Sequence, residues 1–454
     1  MAPHEGSTPE RTREEIALIE VGQTTVSPAV ARTLVAVFLI AIALAPALEW
    51  AARVGTGPDD GVATVWSHLS ALWNRVPAAW TGAAGQAPDA GAWAGLVSAN
   101  RAALAGFHAF EDALEDEAVI GRTLRPPAQL VLSGWLGAGN ERVYPGHDGW
   151  LFYRPDVEYA TAPGFLVPDT LARRVAEASE WTAPPRPDPR DAILHFNRQL
   201  AARGIGLVVM PTPLKPTVHP ERLARGYRDA TAPVQNPSFA SFVADMRRAG
   251  VLVFDVSEAL VETWRRLGDP AYLATDTHWR PATMELAAGE LAAFLDARVS
   301  LPPVPDPGYR TERHDVRNLG DLARMLDLPA DQTLLAPETV SVRRVLAPDG
   351  TPWRSTRSAD VLVLGDSFAN IYSLASMGWG DSAGFVEQVS LVLRRPIDRI
   401  VQNDDGAFAA RALLRRDLAA GSDRLAGTRV VVWQFAAREL AFGDWQLIEL
   451  PGAR

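Results

Sequence analysis

The chain lacks cysteine altogether, has a single lysine, and contains only eight histidines among its 454 residues. Without cysteine it has no disulfide framework and no thiolate ligands for a metal. No two histidines have the H-x-x-x-H spacing that places a pair of ligands on one face of a helix, so the sequence disfavours a metal site. The formal net charge of −10 and the pI near 5.4 also argue against nucleic acid as a general partner.

Long apolar stretches are scarce as well, and the one that stands out is Thr33–Leu48, which only Pro46 interrupts. Extended to Ala52, it approaches the roughly 20 residues of a membrane-spanning helix, and we predict an uncleaved transmembrane signal anchor over 33–52. A cleaved signal peptide, with its site at 43–45 or 45–47, and a buried helix of a soluble protein are the alternatives. The polar residues 1–32 are predicted to be a disordered tail.

The rest of the chain falls into two parts. Residues 53–127 are rich in Ala and Gly and are predicted to form a membrane-proximal spacer with short helices. Over 128–454, short apolar runs alternate with helical patterns, which is typical of an α/β domain whose parallel sheet is covered by helices on both faces. The predicted strands are Gly204–Met210, Val251–Val256, Val361–Leu364 and Arg429–Trp433. Residues 301–357 interrupt the alternation and are predicted to be an insertion.

One predicted strand, Val361–Leu364, leads directly into Gly365-Asp366-Ser367. In open α/β sheets, reactive groups collect beyond the carboxyl ends of the strands. Ser367 would stand there as a nucleophile, where a backbone N–H at a helix start can stabilise an oxyanion. The same residue types also favour a plain turn followed by a helix cap, which is the alternative interpretation.

A second stretch, Thr275-Asp276-Thr277-His278-Trp279, supplies what a serine nucleophile needs. A serine hydroxyl reacts only when a base takes its proton, and the base needs an acceptor that fixes its tautomer. In extended chain the side chains of Asp276 and His278 share a face, so they can provide that acceptor and that base. A surface turn and a metal site that uses Asp276 and His278 are the alternatives.

Together the two stretches resemble the alginate O-acetyltransferase family of AlgJ-like and AlgX-like proteins. This family belongs to the SGNH-hydrolase superfamily, and in it the Asp and His precede the Ser, as they do here. Further pieces of the chain follow the order found in that family: His147–Tyr153, Pro211–Lys215, Gly320–Leu326 and Arg438–Leu440.

The resemblance implies an SGNH-hydrolase-like α/β fold and an O-acetyltransferase that uses no cofactor and no metal. Ser367 would carry the acetyl group, His278 would act as general base and then acid, and Asp276 would orient His278. The N–H groups of Ser367 and Gly365 would form the oxyanion hole. The acceptor would be an exported, alginate-like polysaccharide.

The resemblance also implies a single-pass protein of the bacterial inner membrane, with residues 1–32 in the cytoplasm and the catalytic domain facing the periplasm. Its partner would be a multi-spanning membrane protein of the MBOAT type that supplies acetyl groups. An acetyl esterase with the same three residues and a non-catalytic polysaccharide-assembly protein are the alternative functions. The sequence does not separate transfer from hydrolysis, because the outcome depends on water exclusion and acceptor binding.

Four other residues are candidates for substrate binding. Lys215 and Arg438 each follow a predicted strand, where either could meet the carboxylates of an acidic polymer. Lys215 could instead be a solvated surface residue, and Arg438 could belong to a structural ion pair. Asn370 and Tyr372 come shortly after Ser367 and would either assist at the site or pack against it.

Overall fold

The computed structural model of the chain describes residues 27–55, 65–86, 91–116, 119–177, 184–227, 231–403 and 406–452. Most of the predicted disordered tail, 1–32, lies outside these residues. The chain divides into two compact units, Met1–Pro126 and Pro127–Arg454.

Long helices make up the described part of the first unit. They are α1 Pro28–Gly55, α2 Val65–Gln86 and α3 Gly91–Asp116, and α4 Val119–Leu136 follows them. All are rich in alanine or leucine, which are strong helix formers, and α2 packs against α3. The helices predicted as short pieces over 53–127 are therefore much longer than expected.

The apolar stretch Thr33–Leu48 lies within α1, and its large side chains are exposed. Among the described residues, no helix combines the length and the apolarity needed to cross a membrane. The transmembrane helix predicted over 33–52 is therefore not found. Its uninterrupted apolar part is shorter than the roughly 20 residues that a bilayer requires, and α1 continues on either side through Arg32 and Arg53.

The strands all lie in the second unit, as far as the structure describes the chain. In chain order they are β1 Val143–Pro145, β2 Leu151–Tyr153, β3 Gly206–Thr212, β4 Leu252–Val253, β5 Arg310–Asn318, β6 Glu338–Leu346, β7 Val361–Gly365, β8 Asp398–Val401 and β9 Val430–Ala436. Five of them form a parallel sheet in the order β4-β3-β9-β7-β8. The pairs β1–β2 and β5–β6 are antiparallel.

The second unit also contains helices, and several of them flank this sheet. In chain order they are α5 Arg154–Thr161, α6 Pro168–Ala176, α7 Pro189–Ala201, α8 Lys215–Val218, α9 Pro220–Leu223, α10 Phe239–Arg248, α11 Ser257–Leu267, α12 Pro281–Arg298, α13 Asp321–Met325, α14 Ser367–Asn370, α15 Phe385–Leu393, α16 Gly406–Ala419 and α17 Glu439–Phe442. Helix α7 contacts β3, and α16 contacts β7, β8 and β9. The predicted parallel α/β architecture is confirmed.

The centre of the sheet is β9, in which every residue is buried. In its middle, Val432 pairs in register with Val208 of β3 and Val363 of β7. Continuous runs of β-branched and other apolar residues suit such strands, because a parallel sheet is covered on both faces. This is why β3, β7 and β9 could be predicted from the sequence.

Strand β8 was not predicted, because it is short and its apolar pattern is broken by Asp398 and Arg399. Both charged side chains are paired in the structure. Arg424 donates to Asp398 at 2.7 Å, and Arg399 donates to Glu387 at 2.7 Å.

The segment predicted as an insertion, 301–357, contains β5, β6 and, between them, α13. Helix α13 packs against the β1–β2 hairpin through a small apolar cluster that consists of Val143, Leu151, Leu322, Ala323, Leu326 and Leu335. This packing holds the start of α13 beside the loop that carries Asp276, whose side chain accepts a hydrogen bond from the Asp321 N–H.

The burial of β7 can be tested with two leucines. Leu362→Ala should lower the free energy of unfolding by about 2–5 kcal/mol, because it leaves a cavity in a core where Leu362 is 0% exposed. Leu267→Ala is the matched control. Since Leu267 is 59% exposed, its loss should be within about 0.5 kcal/mol. Urea unfolding of the full chain measures both, and equal losses would contradict the burial of β7.

Candidate active site

The side chains of Ser367, His278 and Asp276 form one continuous line of hydrogen bonds. Ser367 Oγ lies 2.9 Å from His278 Nε2, and His278 Nδ1 lies 2.7 Å from Asp276 Oδ1. Asp276 and His278 are buried, and Ser367 is partly exposed. With its Nδ1–H donated to Asp276, the imidazole presents Nε2 as an acceptor for the hydroxyl proton of Ser367. A nucleophile and its base require this geometry.

Gly365 is the last residue of β7, and Ser367, two residues later, is the first residue of α14. A Cβ at position 365 would lie 2.9 Å from the Ala369 Cβ and 3.0 Å from Gln434 Oε1. Only glycine fits this close approach without displacing its neighbours. As the first residue of α14, Ser367 has an N–H with no partner inside the helix.

Asp366 fixes this turn to the central strand. Its carboxylate caps α14 by accepting from the Phe368 N–H at 2.9 Å. It also accepts from Gln434 Nε2 at 2.8 Å and from the Ala436 N–H at 2.7 Å, both on β9. The position of Ser367 is thus tied to two neighbouring strands of the sheet.

The two ends of the loop that carries His278 are joined by antiparallel backbone pairing. Tyr272 and Trp279 form an antiparallel bridge, and the Leu273 N–H donates to the His278 carbonyl at 3.1 Å. The buried Trp279 indole donates to the Phe368 carbonyl at 3.2 Å, and its ring packs edge-on against the Phe368 ring. Trp279 therefore connects the His278 loop directly to the helix that begins with Ser367.

The Asp276 carboxylate accepts hydrogen bonds from several parts of the chain. Besides His278 Nδ1, its donors are the His278 N–H at 3.1 Å, the Asp321 N–H at 3.0 Å and Trp379 Nε1 at 2.8 Å. Burial alone would raise the pKa of Asp276, but the hydrogen bond and charge of His278, together with the other donors, hold that pKa below its usual range. Asp276 is therefore ionised at neutral pH.

The pKa of His278 shifts the other way. Burial alone would lower it, but the hydrogen bond to Asp276 and the negative charge of that carboxylate outweigh burial and raise the pKa above its ordinary value. An imidazole with a raised proton affinity is a stronger base once it is neutral.

Asp321 also belongs to the site and was not identified as a site residue from the sequence. Its Oδ1 accepts from the Thr277 N–H at 2.7 Å, and its Oδ2 lies 3.8 Å from His278 Nδ1. Burial, and then the charge of Asp276, raise the pKa of Asp321 to about 6. The only sequence signal was the resemblance of Gly320–Leu326 to the family, which marks the segment without giving it a role.

Lys215 is not on the surface, which contradicts its predicted substrate-binding role. It is 1% exposed, and its ammonium donates to the carbonyls of Leu151 at 2.8 Å and Ala274 at 3.3 Å. Burial lowers its pKa to about 8. A side chain enclosed in this way offers no surface to a polymer, and instead it joins β2 to the start of the Asp276 loop.

Arg438 belongs to an ion pair inside the domain. Its Nη1 donates to the fully buried Asp156 at 3.0 Å, and its guanidinium lies 5.3 Å from the centre of the Tyr153 ring. The structural ion pair considered from the sequence is therefore present. Substrate binding by Arg438 stays a prediction that this contact does not favour.

The two residues predicted after Ser367 differ in their accessibility. Tyr372 is fully buried and donates to the Trp279 carbonyl at 2.7 Å, so it supports the His278 loop and cannot contact a substrate. Asn370 is partly exposed and donates to Asn403 Oδ1 at 3.0 Å. Asn370 is thus the more accessible of the two.

The predicted oxyanion donors also differ. Gly365 pairs in register with Val401 of the parallel strand β8, and its carbonyl accepts from the Gln402 N–H at 3.1 Å. In a parallel ladder the N–H and the C=O of such a residue face the same neighbouring strand, so the Gly365 N–H faces β8. The Ser367 N–H, at the helix start, is the better placed of the two.

Asp276, His278 and Asp321 each offer a ligand atom, and these atoms all lie within 4.8 Å of one another. Such a spacing would let the three residues surround a metal ion. However, both ring nitrogens of His278 are already within hydrogen-bonding distance of Asp276 and Ser367. A metal ligated by His278 would have to displace one of these contacts.

The fold and the site together define a class. A parallel sheet flanked by helices, a serine just after the carboxyl end of an inner strand, and an Asp-x-His pair on a separate loop describe an SGNH-hydrolase-like domain. A family model described as "SGNH hydrolase-like domain, acetyltransferase AlgX" matches residues 143–437. The chain belongs to this family.

Curated relatives carry a related name. The chain is 29% identical over 235 residues to "Probable alginate O-acetylase AlgJ" of Pseudomonas aeruginosa, a match that covers 50% of the chain and 53% of that protein. It is 24% identical over 311 residues to the Pseudomonas putida protein of the same name, covering 66% and 71%. The chain thus spans about half the length of the Pseudomonas aeruginosa relative.

Two solved structures are also similar. The O-acetyltransferase domain of Pseudomonas putida AlgJ has a TM-score of 0.48 at 23% identity, covering 66% of this chain and 93% of that domain. Pseudomonas aeruginosa AlgX has a TM-score of 0.43 at 17% identity, covering 66% of each chain.

The role of Asp366 can be tested by Asp366→Asn. The amide keeps one oxygen but turns an N–H₂ group toward N–H donors that the carboxylate now satisfies, so stability should fall by about 1–3 kcal/mol. Any hydrolysis of a small acetyl ester should fall with it, because Ser367 loses its support.

Asp331→Asn is the control, since Asp331 is exposed. Thermal unfolding and ester hydrolysis are measured for both variants. An Asp366→Asn protein as stable and as active as Asp331→Asn would contradict the supporting role of Asp366.

Proposed function

We propose that this protein is an O-acetyltransferase that carries an acetyl group on Ser367 and passes it to a hydroxyl group of a polysaccharide. The observation that supports this most is the hydrogen-bonded line from Ser367 through His278 to the ionised Asp276. Membership of the AlgX acetyltransferase family supports acetyl transfer as the reaction.

In the first half-reaction, Ser367 Oγ attacks the carbonyl carbon of the acetyl donor while His278 Nε2 takes the hydroxyl proton. The oxyanion that forms is stabilised by the Ser367 N–H. Asp276 stabilises the imidazolium through Nδ1 without itself becoming protonated. When the intermediate collapses, the bond to the leaving group breaks, and the leaving group takes the proton from His278.

In the second half-reaction, the acceptor hydroxyl replaces the leaving group. His278 takes its proton while the hydroxyl oxygen attacks the acetyl carbon on Ser367. Collapse of the second intermediate releases the acetylated acceptor, and the proton returns to Ser367 Oγ. At the end of the cycle His278 is neutral again and Ser367 has regained its hydroxyl proton.

An alginate-like polysaccharide in the cell envelope is the acceptor within this proposal, and a membrane protein of the MBOAT type is the source of acetyl groups. The names of the relatives support the choice of alginate. A basic surface patch at Lys215 and Arg438 is not part of the proposal, because Lys215 is buried and Arg438 is paired with Asp156.

An acetyl esterase would use the same residues with water as the acceptor, so the experiment has to separate the two reactions. The full chain is incubated with a chromogenic acetyl ester, alone and with alginate oligosaccharides or neutral glucan oligosaccharides of equal length. Transfer predicts faster release of the chromophore with alginate, and alginate products heavier by one acetyl group. Release that no acceptor accelerates, with acetate as the sole product, would establish an esterase and contradict the proposal.

Replacing any of the three residues Ser367, His278 and Asp276 should remove most of the activity. Ser367→Ala and His278→Ala should each lower kcat for ester turnover by roughly 10³-fold or more, and combining them should add little, because they act as a unit. Asp276→Ala should also be severe, since His278 loses its orienting partner.

Ser422→Ala is the control serine. Ser422 lies close in sequence to Arg424, which donates to Asp398 at the amino end of β8. Ser367 instead follows the carboxyl end of the neighbouring strand β7. The Ser422→Ala protein should keep wild-type turnover. A His278→Ala protein with near-wild-type kcat would refute the assignment of the base.

The raised pKa of His278 predicts the pH dependence. His278 must be neutral to accept the Ser367 proton, so kcat/KM should fall as pH drops through the pKa of His278. Because Asp276 raises that pKa above the ordinary value, the midpoint of the acid limb should lie above about 6.5. A pH profile with a small neutral ester measures it, and a midpoint at or below 6.5 would contradict the electrostatics of the pair.

A further inference from the structure

Asp321 is brought into the site by an unusually close approach of two backbones. A Cβ on Gly320 would lie 2.2 Å from the Thr275 carbonyl oxygen and 2.6 Å from the Asp276 Cβ. Glycine at position 320 is therefore what lets the segment before α13 lie directly on the Asp276 loop. As a result, the Asp321 N–H reaches Asp276 Oδ2 at 3.0 Å.

The Asp321 side chain then turns back toward His278. Its Oδ1 accepts from the Thr277 N–H at 2.7 Å, and its Oδ2 lies 3.8 Å from His278 Nδ1, next to the Asp276 oxygen at 2.7 Å. The Asp321 side chain is 23% exposed, whereas that of Asp276 is 1% exposed. One ring nitrogen of His278 thus faces two carboxylates, of which only one has access to solvent.

We propose that Asp321 is a positioning residue that acts through His278: its ionised carboxylate favours the imidazolium that forms when His278 takes the Ser367 proton. This inference rests on the proposed function, because it assigns Asp321 a part in the same proton transfer. In this arrangement two carboxylates lie beside one base, His278. Asp276 stays ionised, whereas the charge of Asp321 depends on pH.

The charges around His278 support this division. Burial and the neighbouring Asp276 raise the pKa of Asp321 to about 6, so above this pH Asp321 adds a second negative charge beside His278. The other charged groups that face this cluster from the surrounding elements are Asp156, Lys215, Arg280, Glu338 and Asp366. These groups are the same in a variant changed only at position 321, so their effect cancels in the comparison.

Asp321→Asn isolates the charge. Asparagine keeps an oxygen that can accept from the Thr277 N–H, and it keeps the backbone N–H that binds Asp276, but it carries no charge. Above pH 6 the wild-type Asp321 favours imidazolium, so removing its charge should lower the pKa of His278. The acid limb of kcat/KM should move about 0.5–1 pH unit toward lower pH. Asp331→Asn, an exposed acid on the same segment, should leave the profile unchanged.

A profile of Asp321→Asn that coincides with the wild-type profile would overturn the inference. A general structural defect would lower the rate at every pH without moving the midpoint, and that result would overturn it too. If the wild type itself turns over no ester, the proposed function fails.

A second measurement does not depend on turnover or on the variant's folding. In wild-type protein with ¹⁵N-labelled histidine, the ring signal that is missing from His278→Ala is followed against pH by NMR. Coupling to Asp321 predicts two steps, one for His278 itself and one for the Asp321 carboxylate that lies beside it. A single step would overturn the inference whether or not the protein is active.

Discussion

The buried carboxylate of Asp276 is the constraint on which the site depends. A buried charge costs several kcal/mol unless it is fully paired. Here the donors come from three separate segments: His278 on the same loop, Asp321 from the segment between β5 and β6, and Trp379 from the turn after α14. Hydrogen bonds to a charged group contribute roughly 1.5–3 kcal/mol each. One carboxylate therefore holds together His278, the segment between β5 and β6, and the segment that follows Ser367.

The sheet supplies the other half of the site. Ser367 stands on a turn that Asp366 ties to β9, and Trp279 joins that turn to the His278 loop. Sites supported by rigid strands hold their reacting groups more precisely than sites on free loops. The buried Lys215 serves the same end, since it donates to one carbonyl of β2 and to one at the start of the Asp276 loop. Lys215, which the sequence suggested as a ligand for an acidic polymer, therefore supports the loop that carries Asp276.

Local sequence patterns could predict the strands β3, β7 and β9 and the three residues that form the hydrogen-bonded line, because each signal lies within a few neighbouring residues. The contacts of Asp276 with Asp321 and Trp379 join residues 45 and 103 positions apart, and no local pattern encodes such distances. Lys215 was misplaced because lysine is almost never fully buried. Apolar composition alone was not enough to predict a membrane-spanning helix over 33–52.

The central claim is that Ser367 carries the acetyl group, and the most direct test is to trap that intermediate. The full chain is mixed with a reactive acetyl ester, quenched in acid within the first turnover, digested and analysed by mass spectrometry. The account predicts a single acetylated peptide with the group on Ser367, which is absent from Ser367→Ala and accumulates when no acceptor is supplied. Acetylation at another residue, or turnover with no acetylated Ser367 at any quench time, would contradict it.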